Sequence, residues 1–104
     1  MTQELRRHKR IPLLLDVRWD SLSGNHTART GDISLGGCYI ESLAQVSLGE
    51  NISFDVQLPT GRWMRLRGKV AYHLPHMGFG VRFTDLPDIE RELLSQLIDF
   101  ASYI

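Results

Sequence analysis

The sequence predicts a small antiparallel β-barrel or sandwich followed by one C-terminal helix. Apolar and polar residues alternate in short runs from Leu13 to Phe83. Gly, Pro and Asn clusters bound those runs. After Asp85 the apolar spacing changes to three and four residues. Period two marks half-buried strands and a period near 3.6 marks an amphipathic helix. At 104 residues the chain has the size of one domain. Hydrophobic residues at 42% and charged residues at 23% match globular proteins, which excludes collagen, coiled coil and wholesale disorder.

Residues 1–10 hold Leu5 as their one large apolar anchor beyond Met1 and read as a flexible basic arm, with the barrel domain spanning 11–104. Leu13, Leu15, Val17 and Trp19 then alternate with polar residues as a first strand. Ser23-Gly24-Asn25 signals a turn. A second strand is expected from about His26 to Asp32, a break at Gly36-Gly37, and a third from Cys38 to Glu41. Leu48-Gly49-Glu50 is a further turn, and Ile52, Phe54, Val56 and Leu58 form the inward side of the next strand. Pro59-Thr60-Gly61 closes a hairpin. Met64, Leu66, Gly68, Val70, Tyr72 and Leu74 are expected to face inward, with Arg65, Arg67 and Lys69 outward. Gly68 in that inward row implies a bend or a close backbone approach. Phe79 to Phe83 is the last strand. Leu86, Ile89, Leu93, Leu97, Phe100 and Ile104 mark a helix over about 86–103, with Asp85 as its expected N-cap and Pro87 in its first turn.

Twelve bases and twelve acids cancel, which argues against indiscriminate binding to DNA or an anionic membrane. Their distribution is uneven. Residues 1–10 carry Arg6, Arg7, Lys9 and Arg10 against Glu4, and residues 56–84 carry five bases and no acid. Ten of the twelve bases are Arg, the residue suited to bidentate and stacked recognition. The longest apolar run, Ile11 to Leu15, contains Pro12 and is too short to span a bilayer. The basic N-terminus is not followed by a signal-peptide apolar core, and the single Cys38 fits a reducing compartment. A cytoplasmic protein is expected.

Two segments carry chemistry. In Asp32-Ile-Ser34-Leu-Gly36-Gly37, an Asp and a Ser two apart share a strand face. A carboxylate accepts from the two adjacent N–H donors of guanine, and a Ser hydroxyl donates or accepts beside it. Gly36 and Gly37 permit positive φ and close approach of a ligand to the backbone. In Arg6-Arg7-His8-Lys9-Arg10, arginines four apart can grip guanine O6 and N7, pair with phosphate or stack on a base. Taken singly, each has a plainer reading: a Ser-capped Asp turn ended by Gly, and a solvated basic tail.

Together the segments resemble the bipartite signature of PilZ domains. Arg6-x-x-x-Arg10 leads into a strand, and Asp32-x-Ser34-x-x-Gly37 follows about two dozen residues later. The stretch from Thr30 to Ile40, Gly68-Lys-Val70 and Gly78-Phe-Gly-Val-Arg-Phe83 are similar to that family's strand motifs. The resemblance implies a six-stranded antiparallel β-barrel with a C-terminal helix. It implies a non-enzymatic bacterial receptor for the second messenger cyclic di-GMP. Arg6 and Arg10 would contact guanine edges, bases and phosphates, with Arg7 assisting. Asp32 and Ser34 would read guanine, and Gly37 would need to stay small. The ligand would order the arm on the barrel and create a surface for a separate downstream protein in motility, biofilm or exopolysaccharide control. Two other readings stand beside it: an adaptor of the same fold without ligand, and a single-stranded nucleic-acid binder using Arg65, Arg67, Lys69 and the arm.

Other signals carry less. His73 and His76 fall short of a metal-ligand set, and no cofactor or metal is expected. Cys38 reads as a small core residue. No nucleophile, base and orienter assemble into an enzyme site. Trp19 and Trp63 fit burial on strands better than base stacking. Apolar helix positions left over by packing offer a homodimer contact.

Overall fold

The computed structural model describes residues 9–21 and 24–102. Arg6, Arg7 and most of the predicted arm lie outside them, as does part of the Ser23-Gly24-Asn25 turn. The strands are β1 (Ile11–Pro12), β2 (Asp16–Ser21), β3 (Gly24–Ile33), β4 (Gly37–Glu41), β5 (Asn51–Gln57), β6 (Trp63–Leu74) and β7 (Gly78–Phe83), and the helix is α1 (Asp88–Ser102). β3, β2, β5, β6, β7 and β4 pair antiparallel in that order, and β4 returns to β3. Six strands thus close a barrel with no free edge among them. β1 pairs with the end of β3, at Ile11↔Ile33 and Pro12↔Asp32.

The alternation read from the sequence fills the interior. Val17, Ile33, Ile40, Phe54, Val56, Leu66 and Phe79 are all but inaccessible, and Cys38 is buried among them. Each such side chain is worth about 1.5–3 kcal/mol relative to exposure, against roughly 0–1 for an exposed ion pair. The core, not the abundant arginines, holds the barrel together. Close strand contact also needs missing side chains. A Cβ on Gly68 would collide with the Arg82 carbonyl oxygen and the Val81 side chain, the close approach expected of an inward glycine.

The expected first strand is interrupted. Leu13 to Leu15 leave the sheet between β1 and β2. Buried Thr30 on β3 repairs the gap. Its hydroxyl accepts from Leu15 N–H at 2.9 Å and donates to the Leu13 carbonyl, while its own N–H donates to Leu15 O at 2.9 Å. The Pro59-Thr60-Gly61 hairpin forms as read. Gly61 sits at φ 94° and donates to Leu58 O at 2.8 Å.

The helix departs from expectation at its start. Asp85 is not the N-cap. It adopts φ 53°, a left-handed conformation, whereas an N-cap is extended. The Pro87 carbonyl accepts the first helical bond, from Arg91 N–H at 2.8 Å. α1 buries Leu94, Leu97 and Ile98 in the same core as Ile11 and Leu15. Ile89 and Phe100, expected on the packing stripe, are exposed. Trp63 is also not buried: it lies at the surface with the Arg18 guanidinium 3.8 Å above its ring.

On the outer face Asp55 accepts from Arg65 Nε at 2.6 Å and from Arg18 Nε at 3.3 Å. The Arg65 hydrogen bond, then that of Arg18 and both charges, hold the Asp55 carboxyl below its ordinary range against the opposing effect of partial burial. Thr30→Val keeps the shape but strands the Leu15 N–H, so urea denaturation should show a loss of about 1–3 kcal/mol. Asp55→Asn should cost about 0.2–1 kcal/mol at neutral pH, the range for screened pairs. A depressed native pKa stabilises above the unfolded value and is lost as pH falls through the native one. The gap between wild type and Asp55→Asn should therefore close below about pH 4; a gap that persists at pH 2 would contradict the ion-pair account.

Candidate functional site

The turn from Ser34 to Gly37 links β3 to β4 and is bonded internally. Ser34 N–H donates to Gly37 O at 2.8 Å. The Ser34 Oγ accepts from Gly36 N–H at 3.1 Å and Gly37 N–H at 3.2 Å, and donates to Gly37 O at 3.3 Å. Ser34 is buried, so its hydroxyl is committed to the turn rather than offered on a shared face with Asp32. Neither Gly36 nor Gly37 has positive φ. Gly37 must be small for another reason: a Cβ there would collide with the Val81 carbonyl on the paired strand β7. Phe83 N–H donates to Gly36 O at 2.8 Å and fixes the turn against the end of β7.

Beside this turn two strands break their alternation. β3 has a bulge between Thr30 and Asp32, and β6 has one between Val70 and Tyr72. Each bulge shifts the in–out pattern by one residue. Asp32 and Tyr72 therefore emerge on the outer surface, although Thr30 and Val70, two residues earlier, are buried. The inward placement expected for Tyr72 and Leu74 is overturned by that bulge; Tyr72 is 39% exposed and Leu74 41%. The registers Asp32↔Tyr39, Tyr39↔Gly80 and Gly80↔Tyr72 align these residues in one row across four strands. Tyr39 and Tyr72 stack with ring centroids 6.2 Å apart and planes at 16°. The Tyr72 ring lies over Gly80, where a Cβ would collide with it.

Arg10 closes the arrangement. Its Nη2 donates to Asp32 Oδ1 at 2.7 Å across 22 residues of sequence. Burial pulls the Arg10 pKa down, but the hydrogen bond and charge of Asp32 more than offset it, and the guanidinium stays charged. Both groups remain reachable, at 49% and 32% side-chain exposure. Arg10, Ser34, Gly36, Gly37, Tyr72 and Arg82 line one open cleft of about 910 Å³. A cationic fork and an exposed aromatic ring in this cleft, with the Asp32 carboxylate bonded to that fork beside it, suit a planar, hydrogen-bonding anion.

The structure therefore brings Arg10, Asp32, Ser34, Gly36 and Gly37 together, while Arg6 and Arg7 lie outside the described residues. Sequence alternation missed Tyr72 and Arg82. An aromatic in an inward row carried no signal for the bulge that turns it out. The basic outer face is a poorer nucleic-acid surface than its arginines implied. Arg18 covers the Trp63 ring, and Asp55 is shared by Arg18 and Arg65, which offsets one of their two charges. Burial pushes the Cys38 thiol pKa far up, so it offers no thiolate. Among the described residues no group of three metal-ligating side chains converges, and no helix is long and apolar enough to cross a membrane.

The sequence profile of the PilZ domain matches residues 4–100. The chain belongs to the PilZ domain family. Its barrel is similar to that of YcgR from Escherichia coli in complex with c-di-GMP, with a TM-score of 0.81 at 17% identity. That match covers 94% of this chain and 46% of YcgR, so the chain spans about half the length of that relative. The PilZ domain of YcgR with c-di-GMP gives 0.78 at 14% identity, covering 94% and 92% of the two chains. The Bacillus subtilis inhibitor of motility, MotI (DgrA), gives 0.75 at 15% identity, covering 94% and 51%. At these identities the likeness is one of fold. Comparison with curated protein sequences gave no match.

The Tyr72–Gly80 contact yields a prediction for this PilZ barrel. In Gly80→Ala the added methyl should displace the Tyr72 ring, because an exposed ring moves more readily than paired backbone. Near-UV circular dichroism should lose tyrosine signal while the denaturation midpoint changes little. An unchanged near-UV spectrum would remove the ring from above Gly80.

Proposed function

We propose that this PilZ domain is a receptor for cyclic di-GMP, bound at the Arg10 cleft with Asp32 beside it. The observation that carries the reading is the 2.7 Å contact between Arg10 and Asp32. It joins the two halves of the signature, which lie 22 residues apart, at one solvent-reachable place. Family membership and the c-di-GMP held by the YcgR structures support the same ligand.

The chemistry fits. Cyclic di-GMP offers two guanine Hoogsteen edges and two phosphodiester charges. Arg10 takes a guanine edge or a phosphate, and Arg6 and Arg7 add the same chemistry from the N-terminal arm. Asp32 accepts from the guanine N1–H and N2–H. Tyr72 supplies a stacking face. Ser34 and Gly37 act by holding the turn that carries this edge of the cleft, and Gly36 adds its backbone to the lining. A bidentate Arg–guanine contact is worth about 1–3 kcal/mol of discrimination against a wrong base, and a stacked base contributes about 1–3 kcal/mol. Micromolar binding needs about −8 kcal/mol, which several such contacts supply after the cost of ordering the arm. The reading is that of a binding protein without catalysis. Its output is the ordering of residues 1–10 on the barrel, which a downstream protein in motility, biofilm or exopolysaccharide control would recognise.

Isothermal titration calorimetry tests this directly. Saturable micromolar binding is expected for cyclic di-GMP and none for GMP or a short oligonucleotide. Arg10→Ala, Asp32→Ala and Tyr72→Ala should each weaken it at least about tenfold, equivalent to about 1.4 kcal/mol, with far-UV circular dichroism unchanged. No saturable heat on folded wild-type protein would overturn the receptor reading. Amide relaxation in residues 1–10 that does not change at saturation would overturn the relay.

A further inference from the structure

The net charge of zero conceals two adjoining faces of opposite sign. On the outer side of β6, Trp63, Arg65, Arg67 and Lys69 are all exposed. Lys69 stands directly opposite Arg82 on β7. Like charges across a strand pair are unfavourable, and neither forms an ion pair among the described residues. Asp55, the acid among the β5 residues paired opposite this stretch, is already shared by Arg18 and Arg65.

Helix α1 has the complementary character. Asp88, Glu92 and Asp99 are exposed along one line of the helix, by its 3.6-residue repeat. Ile89 and Phe100 flank that line on one side at 73% and 67% exposure, and exposed Arg91 lies on its other side, leaving the face acidic by two charges. None of these three acids forms an ion pair among the described residues. Arg67 Nη1 lies 3.6 Å from Asp85 Oδ2, so the strand face is tied to the segment that leads into the helix, three residues before it begins.

We propose that these faces are the two halves of a homodimer interface. A two-fold axis at the Arg67–Asp85 seam lays α1 of each protomer on the outer β5–β6 face of its partner. Because the complementary patches are neighbours on one chain, the contact is isologous and closes at two copies. The occupant is a second copy rather than a foreign acidic protein because this chain carries both complementary faces side by side. A 15-residue helix is roughly 22 Å long, and the two-fold places two such helix contacts in the interface. Ile89 and Phe100 pack on the aliphatic stems of Arg67 and Lys69, and the charges set the orientation.

Sedimentation velocity over a concentration series is the test. The expected result is a dimer whose dissociation constant rises at least about tenfold between 50 mM and 500 mM salt, because exposed pairs are screened. Arg67→Glu/Lys69→Glu should be monomeric, as should Asp88→Lys/Glu92→Lys. An equimolar mixture of the two should form a heterodimer, since both contacts are then attractive again. Ile89→Asp, at an exposed position, gives a second route to the monomer if a double variant fails to fold. A wild-type monomer at every concentration, a dimer indifferent to salt and to these changes, or two variants that do not combine would each overturn the proposal. None of the substituted residues lines the Arg10 cleft, so loss of the dimer and failure of the receptor reading are separate results.

Discussion

A strand in a closed barrel has one face against the core and one against water, so residues two apart share a fate. Thr30 is committed inward by its bonds to Leu13 and Leu15, and Val70 by burial. Strict alternation would then drive Asp32 and Tyr72 into the core. An uncompensated carboxylate there would be far costlier than the barrel could bear. One extra residue in each strand, at Gly31 and at Ala71, turns both side chains outward. The bulges fall on the same row of the barrel, so one place on the surface receives a carboxylate and an aromatic ring together. The cleft is a consequence of broken pairing in an otherwise regular sheet.

Glycines extend that consequence to the neighbouring strands. Gly80 stands between Tyr39 and Tyr72 in the row, and its missing side chain leaves the space that the Tyr72 ring fills. Gly37 lets the turn after β3 run flush against β7, where any larger residue would meet the Val81 carbonyl. Ser34 spends its hydroxyl on the two N–H groups of that turn. The residues of the second motif thus divide their labour. Asp32 faces out with a group that can bind, while Ser34 and Gly37 hold the backbone that presents it.

The barrel was legible because burial is encoded at period two and closure needs no special residue. Phe54, Leu66 and Phe79 lie where alternation puts them, and the break at Gly36-Gly37 falls at the β3–β4 connection. What alternation cannot register is an inserted residue, since a bulge at Ala71 reads as one more polar-face position and leaves Tyr72 and Leu74 on the wrong side. The helix start departs from its composition for a related reason. Asp85 before an apolar run has the composition of a cap, but a cap needs extended backbone, and Asp85 takes a left-handed turn that places it beside Arg67 instead. Motif spacing set the Arg10 and Asp32 segments together as one signature, and the structure brings those two side chains into contact. That spacing gave no hint that the Ser34 hydroxyl is consumed within the turn, because composition cannot distinguish a ligand-facing oxygen from one that caps its own loop.

The Arg10–Asp32 pair bears on how the proposed ligand would be received. Both groups are partly exposed, so solvent and salt hold their mutual attraction to roughly 0–1 kcal/mol. Each contact that either can make with guanine is worth about 1–3 kcal/mol. Opening the pair is therefore a small cost against what replaces it, and the pair does not shut the cleft. Its effect is on position. Arg10 is the first residue before β1, and its bond to Asp32 holds it at the cleft mouth. Whatever ordering binding demands of the chain before Lys9, the cost of placing the second arginine of the motif has already been met by the fold.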